Sequence, residues 1–303
     1  MISRLLLATT LMRDVMLELT RIFGRLKTCY DRKQECTELL INLTNHTLDL
    51  LSSNEISTTD YRHSVKRYYV YSRQGNITRP VMDVFFIKSK AEFEYSFRNM
   101  IGSLLADQCR YNTPSEQINR IVYTIVMSFA CCYDLFSPKS RKTPGTQFEV
   151  VMGVLLSLIL PNFTRDKQIQ IPNAEEKITT DIVFDNVQQG VGFAIPVKIT
   201  TRERIVQPFA HQRIMDNVFG VGRYKSLFIG MSETKRDNDN LKVDEICVPG
   251  TIKLFSEHMA SLSGMYYLDP PSRYLAEDLT AVVSVKTVGD LLSGELGRLI
   301  MVR

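Results

Sequence analysis

Apolar residues recur at helical spacing through most of the first half of the chain, and in short, dense runs through the second. Residues 1–55 predict two amphipathic helices, the second running from Lys33 to Ser53 (KQECTELLINLTNHTLDLLSS). Another helical pair is expected around residues 90–110 and 115–135. Between the pairs, KRYYVYSRQGNITRP interleaves Lys66, Arg67 and Arg73 with Tyr68, Tyr69 and Tyr71. Such a segment either offers rings to bases and cations to phosphates, or is an amphipathic edge strand with solvated charges. SPKSRKTPGT (Ser137 to Thr146) carries prolines, a glycine and basic residues between apolar helices, which predicts a linker.

Past the linker the pattern changes. TQFEVVMGVLLSLILP predicts a buried helix stopped by Pro161. TTDIVFD (Thr179 to Asp185) and VGFAIPVKIT (Val191 to Thr200) predict two strands joined by the turn-forming NVQQG. QPFAHQRIMDNVFG predicts a helix with Pro208 near its first turn and Gly220 past its end. YKSLFIGMSETK and VDEICVPG predict further strands, TIKLFSEHMASLSG a helix, and MYYLDPP a last strand. Together these elements describe an α/β fold with a mixed central sheet flanked by helices, preceded by a mainly helical part. The expected division is 1–136 as the helical region, 137–146 as linker, and 147–303 as the α/β core with a C-terminal extension.

Composition narrows this only a little. At 303 residues, with 44% hydrophobic and 23% charged, the chain can bury a large core and does not have a disordered composition. A formal net charge of +4 permits a nucleic-acid partner without arguing for one. The cysteines show no metal-ligand spacing, and Cys131 and Cys132 sit in an apolar helical run as small hydrophobes, so a reducing, cytoplasmic setting is expected. Arg4, Arg13, Asp14 and Glu18 interrupt the apolar N-terminus well short of the roughly 18 residues of a membrane span, and no membrane partner is expected.

The chemistry concentrates on the two predicted strands. Asp181 near the start of one and Lys198 near the end of the next lie at the same end of an antiparallel ladder. A carboxylate beside an ammonium suits phosphodiester hydrolysis. The carboxylate offers a hard oxygen to Mg²⁺, the ion lowers the pKa of a bound water, and the ammonium steadies transition-state charge. The competing reading is an ordinary surface ion pair. Glu149, upstream among Phe148, Val150 and Val151, is either a further acidic ligand or a helix-start glutamate favoured by the helix dipole.

Thr180–Asp181, Val197–Lys198 and the triplet Arg202–Glu203–Arg204 together resemble a type II restriction endonuclease of the PD-(D/E)xK superfamily, in the branch that cuts CCGG, CCNGG and CCWGG sites. The resemblance covers about residues 145–235 and implies a restriction-endonuclease-like fold, with 147–303 as the nuclease core. In that branch the catalytic lysine is followed four residues later by an Arg–Glu/Asp–Arg cluster that reads G·C pairs, the separation of Lys198 and Arg202 here. Arginine can give a bidentate contact to guanine, and a carboxylate can accept from cytosine N4.

The resemblance implies a Mg²⁺-dependent enzyme acting on double-stranded DNA at a short palindromic, G·C-containing site in a bacterial or archaeal cell. It implies a homodimer, with further pairing into tetramers left open, and a helical N-terminal region serving dimerisation, DNA contact or both. Asp181, Glu149 and Lys198 would be catalytic, and Arg202, Glu203, Arg204 and His211 would contact DNA. The chain also departs from the pattern. Pro196 stands where the second acid usually lies, and His211 and Gln212 occupy its displaced position in the CCGG branch. Gln212 is then a weak candidate metal ligand beside Asp181 and Glu149, with Asp216 in reserve. The same departures favour the alternative of a non-catalytic DNA-binding protein with a degenerate nuclease fold.

Overall fold

The computed structural model describes residues 2–106 and 113–301, with side chains from residue 15 onward and without those of Arg202 and Glu203. Cys109 falls outside the described residues. The chain opens with helices α1 (Ile2–Asp31) and α2 (Thr37–Leu51). A small antiparallel sheet follows: β1 (Ser57–Tyr61), β2 (Tyr68–Arg73), β3 (Asn76–Ile77) and β4 (Val81–Met82), with β2 bonded to each of the others. Helices α3 (Lys90–Ala106), α4 (Ser115–Phe136) and α5 (Thr143–Ile159) complete this part.

The main sheet uses β5 (Thr164–Gln170), β6 (Lys177–Asn186), β7 (Val191–Ile195) and β8 (Val197–Lys198). After α6 (Val206–Phe219) come β9 (Tyr224–Ser232), the hairpin β10 (Thr234–Asp237) and β11 (Lys242–Glu245), α7 (Pro249–His258) and β12 (Gly264–Asp269). The C-terminal part adds α8 (Glu277–Thr280), β13 (Val285–Thr287), α9 (Val288–Asp290) and α10 (Leu296–Met301). The strand order is β13-β12-β9-β7-β6-β5, with β8 beside β9. Pairings among β5, β6 and β7 are antiparallel, and those joining β7, β9, β12 and β13 are parallel. This is the mixed, helix-flanked sheet that the hydropathy pattern predicts.

Burial explains the choice of residues. Every position of β9 is buried, as a strand covered on both faces requires. Helix α4 is long and apolar enough to cross a membrane by length and composition, but 89% of its apolar window is buried inside the protein. One continuous apolar cluster joins Leu26, Phe129 and Leu155 of the helices to Phe193, Ile195 and Ile229 of the sheet. Cys131 and Cys132 lie in it as fully buried free thiols, which agrees with their expected role as small hydrophobes.

Several details differ from expectation. Tyr68, Tyr69 and Tyr71 are buried and β2 is the central strand of its sheet, so their rings cannot stack on bases and the segment is no edge strand. Helix α5 already begins at Thr143, with Pro144 in its first turn, inside the stretch read as linker. β5 escapes the pattern because it is a polar edge strand with Ile169 as its buried residue.

Candidate active site

The site is built where two strands part. β6 and β7 form an antiparallel hairpin whose register pairs Ile182 with Ile195 and Val183 with Ala194. Pro196 follows, with a locked φ and no backbone N–H to give to a ladder. The predicted strand from Val191 to Thr200 is therefore two pieces, and past the break β8 stays parallel with β9, as β7 is, but no longer pairs with β6; Lys198 lies opposite Gly230. The carbonyl of Pro196 accepts from Ile229 N–H at 3.0 Å.

Asp181 occupies the gap this opens. Its Oδ2 accepts the backbone N–H of Val197 at 2.7 Å, and Lys198 Nζ donates to Oδ2 at 2.8 Å and to Oδ1 at 3.1 Å. The side chains of Lys198 and Asp181 remain 21% and 18% exposed, so the pair is held by buried strands yet open to a ligand. Acid and ammonium thus meet at one end of the hairpin, as expected from sequence, although both lie just beyond the β6–β7 ladder and not within it.

Glu149 and His211 sit in the field of this pair. Helix α5 packs against β8 and brings Glu149 near it. Burial, and after it the Asp181 carboxylate, hold the Glu149 carboxyl above the usual range, with Lys167 and Lys198 pulling the other way. Glu149 lies well inside α5, beyond the first turn where the dipole acts. The helix-start reading of this residue is therefore removed. His211, on α6, is kept below the ordinary imidazole value by burial and then by the Lys198 ammonium, against the pull of Asp181. Its Nδ1 is buried without a hydrogen-bond partner among the described residues.

No family profile and no curated protein sequence matches the chain. Among solved structures, the type IIP restriction endonuclease Kpn2I superimposes with a TM-score of 0.81 and 37% identity, over 90% of this chain and 95% of that one. The chain belongs to the type II restriction endonucleases. PspGI, solved with its substrate DNA, is also similar at 14% identity and a TM-score of 0.43, over 69% of this chain and 92% of that one. The endonuclease is accordingly a site-specific deoxyribonuclease with a restriction-endonuclease-like fold, and enzymes of its fold generally use a divalent metal.

The residues present fit a hard cation. Among the described residues no three His, Cys, Asp or Glu side chains converge as a ready-made cage. Mg²⁺ needs none, because it keeps several waters and is typically held by one or two carboxylates plus substrate phosphates. Asp181 and Glu149 would supply that minimum, and a cation there would relieve the Asp181 repulsion that, after burial, raises Glu149. His211 offers a nitrogen, a poorer match for Mg²⁺ than oxygen, and its unpartnered Nδ1 is better suited to a phosphate oxygen or a water.

Gln212, expected as a weak metal ligand, is placed otherwise. It is buried, its Nε2 donates to Asp216 Oδ1 at 2.8 Å and to Tyr224 O at 3.0 Å, and its Oε1 accepts Ser226 N–H at 2.6 Å. Its carboxamide is spent tying α6 to β9, and Asp216 is drawn into the same contact. The triplet forms a 3₁₀ turn, Arg202–Ile205, at the entry to α6. Arg204 is exposed there, whereas the side chains of Arg202 and Glu203 lie outside the described residues. Sequence reading missed Lys167, on the polar edge strand β5, whose charge reaches Glu149. It also missed Glu233, a fully buried carboxylate just past β9 in GMSETK. An acid two residues past the apolar run Leu227–Met231 was the available signal.

Proposed function

We propose that the endonuclease hydrolyses double-stranded DNA with Mg²⁺ at a short palindromic, G·C-containing site, acting as a homodimer. The observation that carries this reading is the Asp181–Lys198 pair, held at 2.8 Å in the gap that Pro196 opens between β6 and β8. Asp181 and Glu149 would hold the metal, which when bound supplies Lewis-acid charge and a more acidic water. Lys198, fixed by its contact with Asp181, orients the attacking water and faces the charge that builds on the phosphate. His211, whose buried Nδ1 has no partner among the described residues, would donate an N–H from it to a phosphate oxygen. Arg202 and Arg204 reach guanine edges and Glu203 a cytosine amine, in the major groove.

A palindrome presents the same edges twice, related by a two-fold axis, and a homodimer matches it with two copies of one turn. A cytoplasmic setting belongs to the same proposal and accords with the free thiols among the described cysteines. The test is digestion of unmethylated phage DNA with and without Mg²⁺, followed by sequencing of the fragment ends. Discrete fragments ending in one symmetric, G·C-containing sequence are expected. Equal cleavage in chelator would remove the metal assignment, and an asymmetric end sequence would remove the two-fold one.

A further inference from the structure

Glu233 follows β9 and is wholly buried, and a buried carboxyl group is costly unless hydrogen bonds offset its desolvation. Its Oε1 accepts the backbone N–H of Thr201 at 2.8 Å and the Thr201 hydroxyl at 2.5 Å, with the Tyr267 hydroxyl at 3.3 Å. Thr201 is itself 2% exposed. Its carbonyl accepts the N–H of Arg204 at 2.9 Å, closing the turn that bears the triplet. One residue therefore has its amide and hydroxyl gripped by Glu233 while its carbonyl sets the shape of the turn.

The other end of Glu233 is equally fixed. It follows β9, whose Gly230 is in register with Lys198 and whose Ser232 N–H bonds to Ile199 O at 3.3 Å. The Glu233 carbonyl accepts Ile246 N–H at 2.8 Å, anchoring the residue to the β10–β11 hairpin side as well. The path from Lys198 to Arg202 through Ile199, Thr200 and Thr201 has no regular structure of its own. Its geometry is imposed from the neighbouring strand.

We propose that Glu233 is a positioning residue that fixes the register between the catalytic lysine and the base-reading triplet, acting through Thr201. The proposal rests on the reading of Arg202–Arg204 as base contacts and adds to it the element that couples recognition to cleavage. Correctly paired DNA then brings the scissile phosphate to Lys198 because the turn and the strand move as one body. Loosening the Glu233–Thr201 contact lets the triplet engage DNA without delivering the phosphate accurately, and a misplacement of about 1 Å costs roughly 10²-fold in rate.

The experiment compares Glu233→Ala, Glu233→Gln, Thr201→Ala and Thr201→Ser in single-turnover cleavage. The substrates are a short duplex carrying the site read from fragment ends and duplexes differing from it by one base pair. Glu233→Ala and Thr201→Ala should lower the cognate-to-variant rate ratio by at least about tenfold. Glu233→Gln, which keeps an acceptor oxygen, and Thr201→Ser, which keeps the hydroxyl, should restore most of it. If Glu233→Ala does not fold, the Thr201 pair decides. Variants that melt at lower temperature but keep the parental ratio overturn the proposal, since a merely structural role moves stability and not discrimination. Arg204→Ala is the control on the parent reading. If it and Arg202→Ala leave the ratio unchanged, the triplet is not the reader. If they lower it and the Glu233 and Thr201 variants do not, the coupling role alone fails.

Discussion

Lys198 Nζ lies 2.8 Å from Asp181 Oδ2 and 3.1 Å from Oδ1, across the gap where β8 departs from β6. With side chains 21% and 18% exposed, the pair contributes modestly to stability, about 0–1 kcal/mol for ion pairs near solvent. Its placement matters more. The Val197 N–H fixes the Asp181 rotamer from the same strand that delivers the lysine, so acid and ammonium are set against each other before any ligand arrives.

Asp181→Ala should therefore abolish cleavage while site binding, followed by gel shift in Ca²⁺, is kept or improved. Removing a carboxylate next to the phosphates lowers repulsion as it removes the metal ligand. The fall in single-turnover rate should reach at least about 10³-fold, in the range of losses seen when members of a catalytic unit are removed. Cutting at the parental rate would show that the metal is held elsewhere.

If Glu149 holds the metal as proposed, the metal dependence should be sensitive to acid. Its carboxyl titrates above the ordinary 4.5 because burial and then Asp181 penalise the charged form. Metal binding needs the deprotonated form, so the Mg²⁺ concentration for half-maximal rate should rise as pH falls through that raised value. The stability linkage has the opposite sense. A raised folded-state value favours the protonated group, so the penalty is absent at low pH and complete above the folded pKa. Glu149→Gln should accordingly raise the melting temperature at neutral pH, with the gain vanishing in acid, and lose the acid limb of the Mg²⁺ profile. A gain that is the same at every pH would mean the charge on Glu149 is not what costs stability.

The triplet is tested by comparing kinds of DNA. Arg202→Ala and Arg204→Ala should each cost about 1–3 kcal/mol of specific affinity, measured in Ca²⁺ at fixed salt, and much less on unrelated DNA. An equal loss on both, with a shallower salt dependence, would assign that arginine to the phosphate backbone.

The hairpin was legible because its signal is local. TTDIVFD, a turn and VGFAI define two strands, and antiparallel pairing then forces Asp181 and Lys198 to one end. Pro196 was legible as a missing ligand but not as the break that makes room for Asp181, since that depends on β8 staying beside β9 while its pairing with β6 ends. Gln212 misled because spacing along a helix says nothing about which polar atoms are already spent, and Tyr224 and Ser226 had claimed its carboxamide. The residues after Pro271 gave little signal. Their elements are short and take their shape from partners far away in sequence, as Gly289 shows by donating its N–H to Asn119 Oδ1 at 3.3 Å.

That last contact gives a test of the C-terminal packing. α9 opens with a capping box in which Thr287 and Asp290 bond each other's backbone N–H groups, bringing Gly289 down onto the first turn of α4. A Cβ on Gly289 would fall against the carbonyl oxygen of Ser115, with Asn119 Cβ at 2.9 Å. Both neighbours belong to a buried helix and neither is a flexible side-chain tip, so the backbones themselves must separate. Gly289→Ala should destabilise the protein by about 1–3 kcal/mol, the usual cost of overpacking, read from urea unfolding. Gly250→Ala, where the added carbon meets nothing within 4 Å, is the matched control and should differ little from the parent. Because Gly289 lies outside the Asp181–Lys198 cleft, the folded fraction of the variant should cut DNA at the parental rate. A stability equal to that of the control would mean that α9 does not pack on α4 in solution.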